Sequence, residues 1–163
     1  MQKQRTQLSE LTLVGLTART NNKNEMDPAA SKIGQLAGLY WQNQIANEIK
    51  HRATPGITYA AYTEFESDEH GDYTYFIGEV VSSLEGQDLE KFKTIAIPAS
   101  NYQKFTTPPG QMPDIIISAW QEIWAMQPAD FGSPRKYIAD FEIYDERAMD
   151  PSNATVDIYI GVE

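Results

Sequence analysis

The chain has 163 residues, 41% of them apolar and 11% aromatic, and a formal charge of −10. The length suits one well-buried domain, and the composition is that of an ordinary globular protein, not a disordered one. The acidic balance argues against a nucleic-acid surface, which needs clustered Lys and Arg. The absence of cysteine excludes disulfides, thiolate nucleophiles and cysteine metal sites.

No run of about 20 apolar residues occurs, so no membrane segment is expected. The polar opening leads into no apolar run of the secretory kind, and a cytoplasmic location is expected. Residues 1–10 read as a flexible N-terminus, and 11–163 as one domain.

In chain order, Leu11 to Arg19 alternates as a strand. Asp27-Pro28 predicts a helix start, because Asp caps free amides and Pro suits the first helical position. Ile33, Ala37, Trp41, Ile45 and Ile49 then recur every fourth residue, with Leu36 and Tyr40 broadening the stripe, and the helix is expected to end near His51. Tyr40 points about 100° away from Trp41. Trp41 is therefore expected in the packed layer and Tyr40 at the rim of a cleft. Two strands follow, Ile57 to Phe65 and Tyr73 to Ser82, joined by an acidic tip.

The same order then repeats. Phe92 to Ile97 and Tyr102 to Thr106 read as a strand bent at Pro98. Pro113-Asp114 opens a helix with the stripe Ile116, Trp120, Trp124. The strands Tyr137 to Tyr144 and Thr155 to Val162 complete the unit. Strand, helix, strand, strand therefore occurs twice, at about 11–82 and 93–162, with Trp41-Gln42 and Trp120-Gln121 at comparable helix positions. The expected fold is α+β, in which two halves share a largely antiparallel sheet that carries two helices and a central cleft.

The chemistry concentrates in Tyr137 to Arg147. Alternation puts Asp140, Glu142 and Tyr144 on one strand face, and Ala139, Phe141 and Ile143 on the other. A carboxylate in that place is either a solvated sheet residue or the charged floor of a pocket. Tyr62 and Tyr75 are strand aromatics whose facing depends on register.

His70 stands with Asp68, Glu69 and Asp72 in a turn, which is poor metal geometry because the ligands come from one mobile element. No phosphate loop, Ser-His-Asp arrangement or cofactor motif is present.

Five phrases in succession resemble the effector-binding domains of AraC-type and multidrug-responsive regulators, the GyrI-like small-molecule-binding fold. They are Tyr75-Phe76-Ile77-Gly78-Glu79-Val80, Ile95 to Phe105, Trp120-Gln121-Glu122-Ile123-Trp124, Asp140-Phe141-Glu142-Ile143-Tyr144 and Val156-Asp157-Ile158-Tyr159-Ile160. The resemblance spans roughly residues 10 to 162. It implies a cleft for flat or bulky, often cationic, organic molecules, with the family's buried Glu at Glu142 and its last-strand aromatic at Tyr159.

Many members also carry a helix-turn-helix DNA-binding module, for which this sequence has no room. It therefore looks like a stand-alone effector binder, of the kind carried on mobile gene cassettes, related to transcription regulation without contacting nucleic acid itself. A protein partner or a homodimer stays open.

The candidate ligand-binding set is Glu142, Tyr159, Trp120, Trp41, Tyr40, Tyr62 and Tyr75, with no catalytic residue, metal or cofactor. Binding of hydrophobic cations leads. A Glu142-dependent hydrolase of reactive small molecules and an acidic protein-interaction modulator are the alternatives.

Overall fold

The structure, a computed structural model, describes all 163 residues. Eight strands form one sheet: β1 (Gln2–Leu8), β2 (Leu11–Thr20), β3 (Thr58–Thr63), β4 (Tyr73–Val80), β5 (Lys93–Ile97), β6 (Ser100–Thr106), β7 (Arg135–Tyr144) and β8 (Asp157–Val162). Their order is β1-β6-β8-β7-β3-β4-β2-β5, and every pairing is antiparallel. The helices are a single turn, α1 (Asn22–Glu25), and two longer ones, α2 (Ile33–Gln42) and α3 (Asp114–Trp124).

The strand order is a palindrome of the two halves. β3 and β7 pair at the centre, β4 and β8 flank them, then β2 and β6, and β5 and β1 close the edges. Each repeat therefore has one more strand than its sequence suggests.

Residues 2–8, read as flexible, form β1, which pairs residue by residue with β6 from Gln2↔Thr106 to Leu8↔Ser100. As an edge strand in Lys, Arg and Gln, β1 shows no apolar alternation; its backbone pairing places it, together with Lys3 donating to the Asp130 carbonyl and Arg5 to the Glu163 carbonyl. β5 is its counterpart at the other edge, so each repeat lends its leading strand to the other half.

These swaps curl the sheet. β1 and β2, first and seventh in the order, are joined only by Ser9 and Glu10. β5 and β6, eighth and second, are joined only by Pro98 and Ala99. Such a link spans about 11 Å at most, so the sheet ends fold towards each other. Gly15 and Gly78 face each other across β2 and β4, and a Cβ on Gly15 would lie 2.1 Å from the Ile77 carbonyl oxygen.

The enclosed face holds Leu13, Phe76, Ile97, Tyr102 and Phe141, and the helix-bearing face packs Tyr75 and Ile77 under α2, and Ile158 and Ile160 under α3.

The first helix departs from expectation at both ends. The Asp27 carboxylate accepts from the Ala29 amide, which makes a turn, and no large apolar side chain follows until Ile33. The start of α2 is capped from a distance by Glu25, whose two oxygens accept from the amides of Lys32 (2.9 Å) and Ile33 (3.0 Å). At the other end Gln44, at φ 50°, turns the chain out of the helix well before His51.

The two aromatics of α2 exchange roles. Tyr40 is buried at 1% exposure, whereas Trp41 is 46% exposed. A strict four-residue spacing drifts by about 40° per step on a 3.6-residue helix. The side that packs inward is accordingly Ile33, Leu36, Ala37, Tyr40.

Candidate functional site

Strand β7 crosses the centre of the sheet, and its alternation carries Asp140, Glu142 and Tyr144 to the helix-bearing face while Phe141 enters the enclosed face. Ala60 of β3 stands directly opposite Glu142, and its small side chain leaves room for the carboxylate and the rings around it.

Glu142 is 2% exposed. Its Oε2 accepts from the Trp120 indole N–H at 2.6 Å and from the Tyr62 hydroxyl at 2.8 Å. Its Oε1 accepts from the Tyr144 hydroxyl. Burial pushes the carboxyl above its usual range, and the three donors oppose that shift without cancelling it. The same burial, with the Glu142 charge beside them, raises the Tyr62 and Tyr144 hydroxyls well above the ordinary phenol range.

Four carboxylates are buried: Glu79, Asp140, Glu142 and Asp157. Three have a cation in reach. Arg52 is 3.4 Å from Glu79, Arg135 is 2.7 Å from Asp140, and Arg147 is 2.7 Å from Asp157. Glu142 has neutral donors alone.

A cavity of about 340 Å³ opens beside this acid, between α3 and the segment from α1 to the start of α2. Its size falls in the range of small-molecule sites. Tyr62, Phe65 and Tyr73 come from the sheet side, and Ile116, Ile117, Trp120, Gln121 and Trp124 from α3. Glu25, Glu69, Asp140 and Arg135 add three carboxylates against one guanidinium. Tyr62 and Trp120 form the partition, since both line the cavity and both hold Glu142 behind them.

Of the seven residues expected at the site, Glu142, Trp120 and Tyr62 come together, and Tyr75 packs on Tyr62 with ring centroids 5.5 Å apart. Trp41 touches the arrangement from its other side, edge-on to Tyr144 at 5.5 Å. Tyr40 is in the α2 core. Tyr159 lies on the opposite sheet face, stacked on Phe141 at 4.7 Å, because its register partner on β7 is Phe141 and not Glu142.

The expected set leaves out Tyr144 of the Glu142 cage and most of the cavity wall. Tyr144 was legible, two residues beyond Glu142 on one strand face. Glu25, Glu69 and Arg135 reach the cavity from a helical turn, a hairpin tip and a strand end, and no spacing in the sequence connects them.

No three His, Asp or Glu side chains converge as a metal site. His70 lies at the exposed tip, its Nε2 3.8 Å from Glu69. No helix is long and apolar enough to cross a membrane.

Comparison with known proteins agrees with this fold. The Cass2 family profile, described as integron-associated effector binding protein, matches residues 6–162. YobU of Bacillus subtilis (strain 168), named as a candidate transcriptional regulator, is 30% identical over 161 residues, covering 97% of this chain and 96% of its own. An integron cassette protein from the mobile metagenome of Vibrio cholerae superposes with a TM-score of 0.73 at 27% identity, covering 99% of this chain and 95% of its own. The structure of SAV2435 bound to tetraphenylphosphonium shares the fold, with a TM-score of 0.73 at 21% identity over 100% of this chain and 94% of its own. With a duplicated antiparallel sheet, a cavity under its helices and a profile match over nearly its whole length, the chain belongs to the Cass2 family of integron-associated effector-binding proteins.

Proposed function

We propose that this protein binds hydrophobic organic cations in the cavity between α1 and α3, with Glu142 supplying the charge that selects them. The observation that carries the reading is that Glu142 is the buried carboxylate with no cation of its own. Its charge is desolvated and held by donors that do not neutralise it, so a ligand cation is the missing counter-charge. At an effective dielectric near 20, charges about 8 Å apart across that partition attract by roughly 2 kcal/mol, before the ligand's own desolvation is subtracted. The aromatic wall adds cation–π attraction of about 0.5–2 kcal/mol for each well-placed ring. Glu25 and Glu69 at the cavity wall reinforce the same sign. The fold-related SAV2435 bound to tetraphenylphosphonium is an example of such a ligand in this architecture.

Calorimetry on the wild-type chain with methyltriphenylphosphonium and neutral triphenylphosphine oxide tests the selection by charge. Both carry three phenyl rings and one small substituent on phosphorus, so area burial is similar. The cation is expected to bind about tenfold to a hundredfold more tightly, the span of one partly screened charge interaction. Equal affinities overturn the reading.

A further inference from the structure

We propose that Arg135 is a second recognition point of the same cavity, donating to a neutral oxygen acceptor (a carbonyl, ester or ether) that the cationic ligand carries. This rests on the cation-binding reading and narrows the ligand class. Arg135 and Asp140 both line the cavity. The Arg135 side chain is 10% exposed, and its Nη2 donates to Asp140 Oδ2 at 2.7 Å. Asp140 Oδ1 in turn accepts from the Gly161 amide at 2.9 Å, so the acid is engaged at both oxygens.

The guanidinium is not. Its buried Nε–H has no acceptor, although such groups are nearly always satisfied in folded proteins. The Nε–H is closed to an atom the size of oxygen, so a ligand acceptor meets the Nη groups, where Asp140 takes one N–H of Nη2. The group is already held in place for that task, with its central carbon 4.4 Å from the Tyr137 ring centroid and 5.8 Å from that of Phe131.

The paired acid decides what kind of oxygen suits the site. Asp140 balances the charge of Arg135, so the guanidinium offers N–H donors and little net attraction. A ligand carboxylate there meets Asp140, with Glu69 also on the wall, and is repelled, whereas a neutral acceptor is not. Asp140, which holds the guanidinium, precedes Glu142 by two residues on one strand face, so the backbone positions of the two acids lie about 7 Å apart along β7. The ligand class that satisfies both is a bulky aromatic cation with a neutral acceptor a few bonds from its charged centre.

Three triphenylphosphonium probes separate the contributions: heptyl, the isosteric 4-ethoxy-4-oxobutyl ester, and 3-carboxypropyl. Affinities are measured on the wild type, on Arg135→Lys, and on the double variant Arg135→Met/Asp140→Asn, which leaves no lone buried charge. The ester-to-heptyl affinity ratio is expected to fall about tenfold in the double variant, the worth of one hydrogen bond from a charged donor, and by less in Arg135→Lys.

Because the readout is a ratio, general damage to the cavity cancels, and Arg135→Lys keeps the test alive if the double variant does not fold. An unchanged ratio in the variants, or a carboxypropyl probe that binds the wild type more tightly than the ester, overturns the proposal. Failure of the heptyl probe to bind the wild type sinks the cation reading itself and this inference with it.

Discussion

Glu79 on β4 and Glu142 on β7 are both buried acids on the helix-bearing face, at 1% and 2% exposure, and both carboxyls are pushed above their usual range by burial. They differ in what answers the charge. Glu79 has the Arg52 guanidinium 3.4 Å away and the Gly56 amide beside it, which ties the chain after α2 to the sheet. Glu142 has an indole and two phenols. An acid whose counter-charge is built into the chain serves the fold. One whose counter-charge is absent costs the fold stability and is set to receive a cation from outside.

The contrast makes opposite predictions for the two acids. The largest effect is expected at the structural pair. Arg52→Met leaves Glu79 buried and unpaired, and denaturant melts should show a loss of about 3 kcal/mol, with little change in cation affinity.

Next comes the cage of Glu142. Trp120→Phe keeps an aromatic ring and removes one donor to the carboxylate. It should destabilise the ligand-free protein by about 2 kcal/mol, as expected for a hydrogen bond to a charged group.

Glu142→Gln should do the reverse and raise the melting temperature at neutral pH. The sign follows from the direction of the shift. The folded pKa lies above the unfolded one, so the wild-type advantage is complete below the unfolded value and is lost as pH rises through the folded value. The melting difference between mutant and wild type should therefore grow from pH 4 to pH 8. A difference independent of pH across that range would mean that Glu142 carries no buried charge.

Acidification should act on binding in the same window. As Glu142 takes up its proton, cation affinity falls and neutral-ligand affinity holds, in titrations at fixed ionic strength.

Much of this was legible in the sequence, and the reasons are local. The alternation in β7 assigns Glu142 and Phe141 to opposite faces without any tertiary knowledge. The order strand, helix, strand, strand, read twice, yields the central antiparallel sheet, and Pro113-Asp114 marks where α3 begins.

What escaped depends on contacts between distant segments. β1 is polar, and its register with β6 and the bonds of Lys3 and Arg5 to distant segments place it. The facing of Tyr40 and Trp41 turns on a few tens of degrees of helix rotation, which the sheet beneath settles. Tyr159 was carried over from the resemblance onto the strand β8, and the register with β7 places it behind the sheet. The cavity's own charges, Glu25, Glu69 and Arg135, are neighbours only after the chain has folded.

The central claim is that the Glu142 charge is answered by the ligand. It is tested most directly by titrating tetraphenylphosphonium and triphenylphosphine oxide into wild type and Glu142→Gln. Glutamine keeps the shape of the site and an acceptor for Trp120 and Tyr62. The cation should bind the mutant about tenfold to several hundredfold more weakly, a loss of roughly 1.5–4 kcal/mol, while the neutral probe changes far less. A hydrolase built on Glu142 would instead keep its binding and lose turnover of a reactive substrate. Equal cation affinity in the two proteins would contradict the account and leave Glu142 as a buried sheet residue with no part in recognition.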